Sequence, residues 1–404
     1  MDTGALSWAI TATALVLFMT PGLAFFYGGL VKAKSVVSMM MMSFGALGLV
    51  AVLWILYGAS MSVVDSPGAF AGNPFADFGL MAIAGDNEAL VSTAFGSTFA
   101  IITTALISGA VADRARFGPW LLFAGLWSTL VYFPVAAWVW GGGWIQNLGG
   151  MLGFSAEVLD YAGGTAVHIN AGAAAFALAI VLGKRVGFQR GMQKPHNVPL
   201  VILGASILWF GWFGFNAGAE FSNGLEGVGL IVLNTIGATA AAILAWLLVE
   251  KLKEGKPTAV GAASGAVAGL VAITPACAFL TPGWSLLLGL IAGGVSALAV
   301  ELKYKLGYDD SLDVVAIHLV AGVIGTLYLG FFATGTGLFV GGNAEQLIVQ
   351  AISVVSVCVY SFVVAFVVAK IIDLTMGFRV TREDEIAGVD LVLHGEEGYA
   401  LSER

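Results

Sequence analysis

Long apolar segments separated by short polar ones are the dominant pattern of the chain. Eleven of these segments reach the length of about 20 residues that an α-helix needs to cross a bilayer. They cover residues 6–31, 36–64, 90–112, 118–140, 162–183, 198–219, 226–249, 258–280, 283–302, 314–336 and 346–373. Their apolar runs do not alternate with polar residues, which excludes the strands of a membrane β-barrel. The pattern therefore predicts an all-α polytopic membrane protein with eleven transmembrane helices.

The composition of the chain indicates the same class of protein. Of its 404 residues, 59% are hydrophobic and only 10% are charged, whereas an ordinary soluble domain carries about 25% charged residues. Too few polar side chains are present to cover a water-exposed globule, so the expected surrounding is the lipid bilayer. The formal net charge of −8 and the lack of a long basic run give no indication of a nucleic-acid partner.

The positions of lysine and arginine predict the orientation of the helices. If the N-terminus lies outside, all 17 basic residues fall in cytoplasmic segments, which are 32–34, 114–116, 184–194, 251–256, 303–305 and 370–404. Cytoplasmic loops of membrane proteins are enriched in basic residues, so we expect an N-out, C-in topology in the cell membrane. The charged residues of the predicted outer loops are all acidic, among them Asp65, Asp77 and Glu157. A negative outer surface suits a cationic solute.

Two halves of the chain share a short sequence pattern. Residues 166–172 are AVHINAG and residues 316–322 are AIHLVAG, and in each half an aspartate precedes the histidine by eight residues. Because each half holds five spans, the halves run in opposite directions, as in an inverted repeat of spans 1–5 and 6–10 with an eleventh helix added. The predicted domains are a membrane domain over 1–376, with repeats near 1–190 and 195–340 and helix eleven near 346–373, and a cytoplasmic tail over 377–404.

Two histidines, His168 and His318, lie inside the fifth and tenth predicted spans. An ionisable side chain at membrane depth costs several kcal/mol unless it has a partner, so each histidine either bonds a neighbouring helix or meets the other in a pore. No basic residue and no other carboxylate lies deep in these spans, so a pair would be neutral, with one ring nitrogen donating to the other. No cysteine or carboxylate completes a zinc site and no haem-attachment motif is present, so neither a metal nor a cofactor is expected.

An aspartate and several aromatic residues lie near the predicted outer ends of the spans. Asp160 begins the fifth span, where we expect it to cap free backbone N–H groups and to shape the local potential rather than to bind a cation directly. Aromatic faces attract a desolvated ammonium-type cation. The aromatic candidates are Phe95 and Phe99 on one face of the third span, Trp140 after the fourth, and Trp212 and Phe215 in the sixth.

Three sequence strings carry a resemblance to a known family. They are TPGLAFFYGGL at 20–30, DYAGGTAVHINAG at 160–172 and GWFGFNAG at 211–218. Together with DDSLD before the second histidine and the tail residues GVD and HGE, they resemble the signatures of the Amt/Mep/Rh ammonium transporters, of the bacterial and archaeal Amt type. The resemblance extends over nearly the whole chain. It implies a homotrimer with one pore per subunit and ammonium or ammonia as the transported species.

The same resemblance implies roles for individual residues. It implies an outer ammonium site at Phe95, Phe99, Trp140 and Ala219, and a phenylalanine gate of Phe99 and Phe215. It also implies a twin-histidine pair of His168 and His318 and a pore lining of Phe26, Leu106, Leu208, Trp212 and Val314. A cytoplasmic face for a PII-type signalling protein would lie at Asp309, Asp310 and Asp313. Two positions depart from the family pattern, since Ala219 replaces a common serine and Gly96 replaces a frequent glutamine. Losing the serine hydroxyl removes an acceptor worth roughly 1.5–3 kcal/mol to a charged donor, unless a backbone carbonyl or a water substitutes for it.

The function expected from these residues is ammonium transport. An intact cation is costly to carry through an apolar lumen, but ammonium can release a proton near the gate, after which ammonia crosses and the histidines relay the proton. One alternative is a passive channel for ammonia or carbon dioxide, and another is a poorly conducting ammonium sensor, which Ala219 and Gly96 leave open. No nucleophile–base pair or cofactor motif indicates an enzyme.

Overall fold

The computed structural model describes residues 1–188 and 194–399 of the chain. Arg190 and Arg404, two of the basic residues used to predict the orientation, lie outside the described residues. Regular structure within these two ranges is helical, apart from one isolated bridge between Ala115 and Arg379. The prediction of an all-α membrane protein is confirmed.

Eleven apolar helices follow one another in the described ranges, in the order that the hydrophobic pattern predicts. They are α1 (Thr3–Leu30), α2 (Ala33–Met61), α3 (Asn87–Val111), α4 (Phe117–Val139), α5 (Gly164–Leu182), α6 (Val198–Asn223), α7 (Val228–Glu254), α8 (Ala259–Ile273), α9 (Pro282–Leu306), α10 (Val315–Phe332) and α11 (Ala344–Met376). Ten of these are long and apolar enough to cross a membrane, whereas α8 has 15 residues, fewer than the roughly 20 that a crossing needs. The count of eleven crossings and the N-out orientation therefore stay predictions.

Helices α1 and α6, the first helices of the two predicted repeats, pack together with almost no space between their backbones. A Cβ built at Gly204 would lie 2.2 Å from the backbone nitrogen of Phe26, and one built at Gly211 would lie 2.3 Å from Cγ of Met19. Lipid provides no hydrophobic drive for helix association, so close contact at small residues supplies much of the packing energy. This packing holds Phe26 and Met19 near the centre of the bundle.

Both buried histidines lie in π-helical turns at the start of α5 and α10. The turn Gly164–Ile169 contains His168, and the turn Val315–Val320 contains His318. A π-helical turn takes up an extra residue, which changes the direction of nearby side chains, and such turns are frequent at functional sites. A Cβ at Gly322, just after the second turn, would lie 3.2 Å from Cβ of His168, so α10 packs closely against the turn that contains His168.

The residues after α11 fold back against the helix ends in two short helices, α12 (Arg382–Ala387) and α13 (Val389–His394). Glu385 in α12 is 2% exposed. Its carboxylate accepts a hydrogen bond from the backbone N–H of Val186 at 2.6 Å and another from the guanidinium of Arg379 at 2.6 Å. This acid therefore attaches the tail to the loop that follows α5.

Candidate functional site

An open cavity of about 390 Å³ lies at one end of the bundle, between the ends of α2 and α4 and the beginnings of α3 and α5. We call it the aromatic vestibule after its aromatic lining residues, which are Trp54, Phe95, Phe99, Tyr132, Trp140, Tyr161 and Phe215. Ala219 and Gly96, the two departures from the family pattern, also line it. All four residues of the predicted outer site therefore lie in one cavity.

Two phenylalanines close the inner end of the aromatic vestibule. The rings of Phe99 and Phe215 are stacked, with centroids 4.3 Å apart and an interplanar angle of 29°. Phe95 contacts Phe99 edge-on at 4.9 Å, and Trp140 contacts Phe99 edge-on at 6.1 Å. Aromatic pairs at such distances add packing energy beyond their buried area. The stacked pair is thus held from its sides and separates the vestibule from the space below.

Below the stacked phenylalanines lies a narrow cavity of about 10 Å³, which we call the lumen. Phe215 forms one end of it, and the predicted lining residues Phe26, Leu106, Leu208 and Trp212 surround it together with His168 and His318. The family resemblance did not assign the remaining lining residues, which are Met19, Leu23, Ile102, Val167 and Val267. Of the described residues that line the lumen, only the two histidines are ionisable.

Val314 does not line the lumen, in contrast to the expectation. Its side chain is fully buried, and a Cβ at Gly109 would lie 2.8 Å from its Cγ2. Val314 directly precedes the π-helical turn of α10. It therefore packs against the end of α3 and supports the turn that carries His318.

The two histidines form a hydrogen-bonded pair. Nδ1 of His168 and Nδ1 of His318 are 3.2 Å apart, and the residues are 1% and 2% exposed. One Nδ1 must carry the proton and the other must accept it, because two protonated or two bare nitrogens would repel each other. Nε2 of His168 has no hydrogen-bond partner among the described residues. The indole of Trp212 stacks on His168 with centroids 5.5 Å apart, and its Nε1 donates to Oγ1 of Thr274 at 2.9 Å.

The Asp160 carboxylate organises the backbone at the start of α5. Its two oxygens accept hydrogen bonds from four successive backbone N–H groups at 2.6–3.1 Å, those of Gly163, Gly164, Thr165 and Ala166. Burial raises the pKa of Asp160, while these donors act in the opposite direction. The indole of Trp140 donates to the Asp160 carbonyl at 2.9 Å, which connects the vestibule wall to this turn.

The three aspartates expected to form a docking face lie at the other end of α5 and α10. Asp309 and Asp310 are buried, so neither is available to a docking protein in this conformation. Asp313 is partly exposed and pairs with Lys303 at 2.6 Å. The guanidinium of Arg185 bonds Asp309 at 2.9 Å and Asp113 at 3.1 Å. The expectation of an exposed acidic face at Asp309 and Asp310 was wrong, because these acids neutralise or cap neighbouring groups.

The charges around Asp309 explain its place in the interior. Burial by itself would raise the pKa of Asp309, but the hydrogen bonds from Arg185 and the charges of Arg114 and Arg185 hold this pKa below its ordinary value. The carboxylate of Asp310 accepts a hydrogen bond from the backbone N–H of Val315 at 2.7 Å. Burial, and then the charge of Asp313, raise the pKa of Asp310 to about 6.

Sequence reasoning missed three aromatic walls of the vestibule, Trp54, Tyr132 and Tyr161. Trp54 begins the π-helical turn Trp54–Gly58 and Tyr132 ends another, Ser128–Tyr132. A π-helical turn is not visible in a pattern of period 3.6, so neither side chain could be assigned to a face of its helix. Gly96 is the sequence feature that could have indicated Trp54 as a wall of the vestibule, because a position without a side chain leaves space for a large neighbouring ring.

A vestibule and an apolar lumen, separated by stacked aromatic rings and enclosed by membrane-spanning helices, define a membrane transport protein. The sequence profile of the Ammonium Transporter Family matches residues 7–399. An ammonium transporter of Mycobacterium tuberculosis is 51% identical over 433 aligned residues, which cover 98% of this chain and 90% of that protein. The chain belongs to the ammonium transporter family.

Solved structures agree with this assignment. A protein named Sensor Amt Protein has a TM-score of 0.87 at 28% identity, and the match covers 96% of this chain and 98% of that one. Mep2 of Candida albicans has a TM-score of 0.85 at 31% identity, and the match covers 98% of this chain and 90% of that one. The family and the Mycobacterium tuberculosis relative are ammonium transporters and not enzymes, and the chain is a multi-pass integral protein of the cell membrane.

Proposed function

We propose that this protein transports ammonium, that the aromatic vestibule recruits the ammonium ion, and that the ion loses a proton near Phe99 and Phe215. Ammonia then crosses the lumen, and the proton is relayed by His168 and His318. The observation that carries the proposal is the hydrogen-bonded histidine pair inside an otherwise apolar lumen, directly below a stack of two phenylalanines.

The physical chemistry of the lumen favours ammonia over an intact cation. A desolvated ion loses several kcal/mol of hydration energy, and apolar side chains return none of it. Ammonium can avoid this cost by leaving a proton behind, whereas potassium cannot. The histidine ring nitrogens are then the hydrogen-bonding groups that ammonia meets in the lumen. Selectivity thus follows from the ability to lose a proton and not from the size of the ion.

The assembly and topology that accompany this function are part of the proposal. We expect a homotrimer with one pore per subunit, an N-out, C-in orientation of 1–376, and a tail over 377–404 on the cytoplasmic side. A PII-type signalling protein would contact Asp313 and the tail rather than the buried acids. The family resemblance supports these expectations.

A second candidate function is ammonium sensing with little conduction. The observation that favours it is the similarity to the Sensor Amt Protein. Sensing and transport differ in whether ammonium moves charge across the bilayer.

Currents from purified protein in liposomes on a solid-supported membrane test the proposal. Ammonium pulses are expected to give a transient current, and potassium pulses of equal ionic strength are expected to give none. Ammonia entry without current, detected by a pH dye inside the liposomes, would favour a passive gas channel. Ammonium binding without current or ammonia entry would favour the sensor.

A further inference from the structure

An open cavity of about 360 Å³ lies at the end of the bundle opposite the aromatic vestibule. It is enclosed by the loop that follows α5 and by the part of the tail that leads from α11 into α12. Its lining residues are Lys184, Arg185, Val186, Gly187, Arg379 and Arg382. Four of these six residues are cationic at neutral pH, and none is acidic. We call it the basic cavity.

Two of the four cations, Arg185 and Arg379, are held in position by buried acids. The guanidinium of Arg185 donates to Asp309 at 2.9 Å and to Asp113 at 3.1 Å. That of Arg379 donates to Glu385 at 2.6 Å. None of these acids lines the basic cavity. A guanidinium has five N–H donors, so each arginine keeps donors for a further acceptor while its position is fixed.

The other two cations, Lys184 and Arg382, are exposed residues. Neither forms a salt bridge with an acid in the described part of the chain. The ammonium of Lys184 lies 6.0 Å from the centre of the Phe188 ring, a contact that orients a cation but does not neutralise it. The acids next to Arg382 in the sequence, Glu383 and Asp384, do not line the cavity. Lys184 and Arg382 therefore give the basic cavity an excess of positive charge.

A phosphate group matches this arrangement of donors and charges. It carries several oxygen acceptors and at least one negative charge, and planar guanidinium groups bind its oxygens in pairs. A chloride ion offers no such set of oxygens. Two of the cations belong to the loop after α5 and two belong to the tail, so a phosphate that contacts all four would bridge these two segments.

We propose that the basic cavity binds an anion that carries phosphate, and that the bound anion fastens the tail to the loop after α5. The tail already contacts this loop through Glu385, which accepts a hydrogen bond from the backbone N–H of Val186. A phosphate between Lys184 and Arg382 adds a second attachment on the exposed side of that contact. Binding in this cavity does not depend on ammonium transport, so the inference does not rest on the proposed function.

Isothermal titration calorimetry of the purified full-length protein in detergent tests the binding. Pyrophosphate, the main probe, is expected to bind saturably at one site per chain, and inorganic phosphate is expected to bind more weakly because it carries less charge. Sodium chloride at equal ionic strength is expected to give no saturable heat. Heats that follow ionic strength alone, with no difference between these salts, would contradict a phosphate site.

A double variant locates the site within the molecule. Lys184→Gln with Arg382→Gln is expected to raise the dissociation constant of pyrophosphate at least about tenfold, and to leave the fold intact because both residues are exposed. Lys251→Gln with Lys256→Gln removes two exposed lysines that do not line the cavity and should leave the constant unchanged. Should the first double variant fail to fold, Arg382→Gln alone is expected to raise the constant about threefold. Equal weakening in the cavity and control variants would refute the assigned site.

Native mass spectrometry of delipidated protein identifies the source of the phosphate. A pyrophosphate adduct that is lost in the Lys184→Gln, Arg382→Gln variant, without a matching lipid adduct, indicates a water-soluble anion. A phosphatidylglycerol adduct that pyrophosphate displaces, and that the same variant loses, indicates a lipid headgroup in the cavity. Wild-type protein that retains neither adduct would overturn the proposal.

Hydrogen–deuterium exchange tests whether the anion fastens the tail. Saturating pyrophosphate is expected to slow the exchange of backbone amides in residues 378–388 at least about threefold in wild type, because a bridged segment opens less often. The same addition should leave exchange unchanged in the Lys184→Gln, Arg382→Gln variant. If pyrophosphate bound to wild type without slowing exchange in this segment, the bridging role would be refuted.

Discussion

The Asp160–His168 segment and the Asp310–His318 segment have the same spacing, and in both the histidine lies in a π-helical turn. Their aspartates have different surroundings. Asp160 accepts hydrogen bonds from four backbone N–H groups and has no basic partner among the described residues. Asp310 accepts one from Val315, and the Nζ of Lys303 lies at its backbone carbonyl, 3.0 Å away.

This difference shows how one motif can serve two ends of a pore. Near the vestibule, backbone dipoles stabilise the acid, so its negative charge still acts on a cation that enters. At the opposite end, Lys303 and Arg185 lie among Asp310, Asp313 and Asp309, so charges of both signs cancel locally. An uncompensated acid suits the end at which we propose that ammonium enters, and a compensated cluster suits an end whose acids hold helices together.

Replacing Asp160 and Asp310 in separate variants is the strongest test of this difference between the two segments. Asp160→Ala leaves four buried N–H groups without a partner, and we expect a loss of about 3 kcal/mol or more in the free energy of unfolding, with loss of transport. Asp310→Ala removes one such bond, and we expect a loss nearer to about 1 kcal/mol. Thermal unfolding in detergent, with size-exclusion chromatography as a check on assembly, measures both. Equal losses would contradict the difference between the two segments.

The histidines test whether the two segments act together in the lumen. In the double variant His168→Leu and His318→Leu, the fold is expected to persist, because both rings lie in apolar surroundings. The ammonium current should fall at least about tenfold, because no ionisable side chain then remains among the described residues that line the lumen to relay a proton. His196→Leu, at a histidine outside the lumen, serves as the control. An unchanged current in the double variant would refute the relay.

A smaller effect is expected in the pH dependence of the free energy of unfolding, through the titration of Asp310. Its pKa is raised from 3.8 to about 6, so the folded state binds the proton more tightly than the unfolded state does. The stabilisation this gives is complete below about pH 3.8 and is lost as the pH rises through about 6. Relative to Asp310→Asn, which can keep the bond to Val315, wild type should lose roughly 1–3 kcal/mol of unfolding free energy across this range.

Chemical unfolding in detergent at pH 4, 5, 6 and 7 measures that difference. Glu383→Gln, at an exposed acid in α12, is the control. A constant difference between wild type and Asp310→Asn at all four pH values would contradict a raised pKa at this site.

The hydrophobic pattern predicted the class of fold and nearly every helix, because membrane-spanning helices need long apolar runs that have no soluble counterpart. It overestimated the length of α8, because the apolar residues that follow Ile273 form turns inside the protein and do not continue the helix. An apolar run shows that a segment avoids water, but it does not distinguish a helix from turns that are buried in the bundle.

The candidate site was predictable only in part. Side chains inside a motif, such as His168 and Phe215, could be assigned from the resemblance. Trp54 could not, because its position depends on a π-helical turn and on the space left by Gly96. The burial of Asp309 could not be predicted either, because its partner Arg185 is 124 residues away in the sequence. Long-range partners decide whether an acid lies on the surface or in the interior.

The smallest expected effect concerns the acceptor missing from the vestibule. Ala219→Ser adds a hydroxyl beside Glu220, a buried acid, and a hydroxyl oxygen can accept a hydrogen bond from ammonium. The alanine is partly exposed, so we expect only a roughly threefold lower KM for ammonium, with little change in maximal current. Ala136→Ser adds the same hydroxyl on another vestibule wall and should leave KM unchanged. If both variants lowered KM equally, general polarity and not the position of the acceptor would govern capture, and the entrance would be set by the buried carboxylates alone.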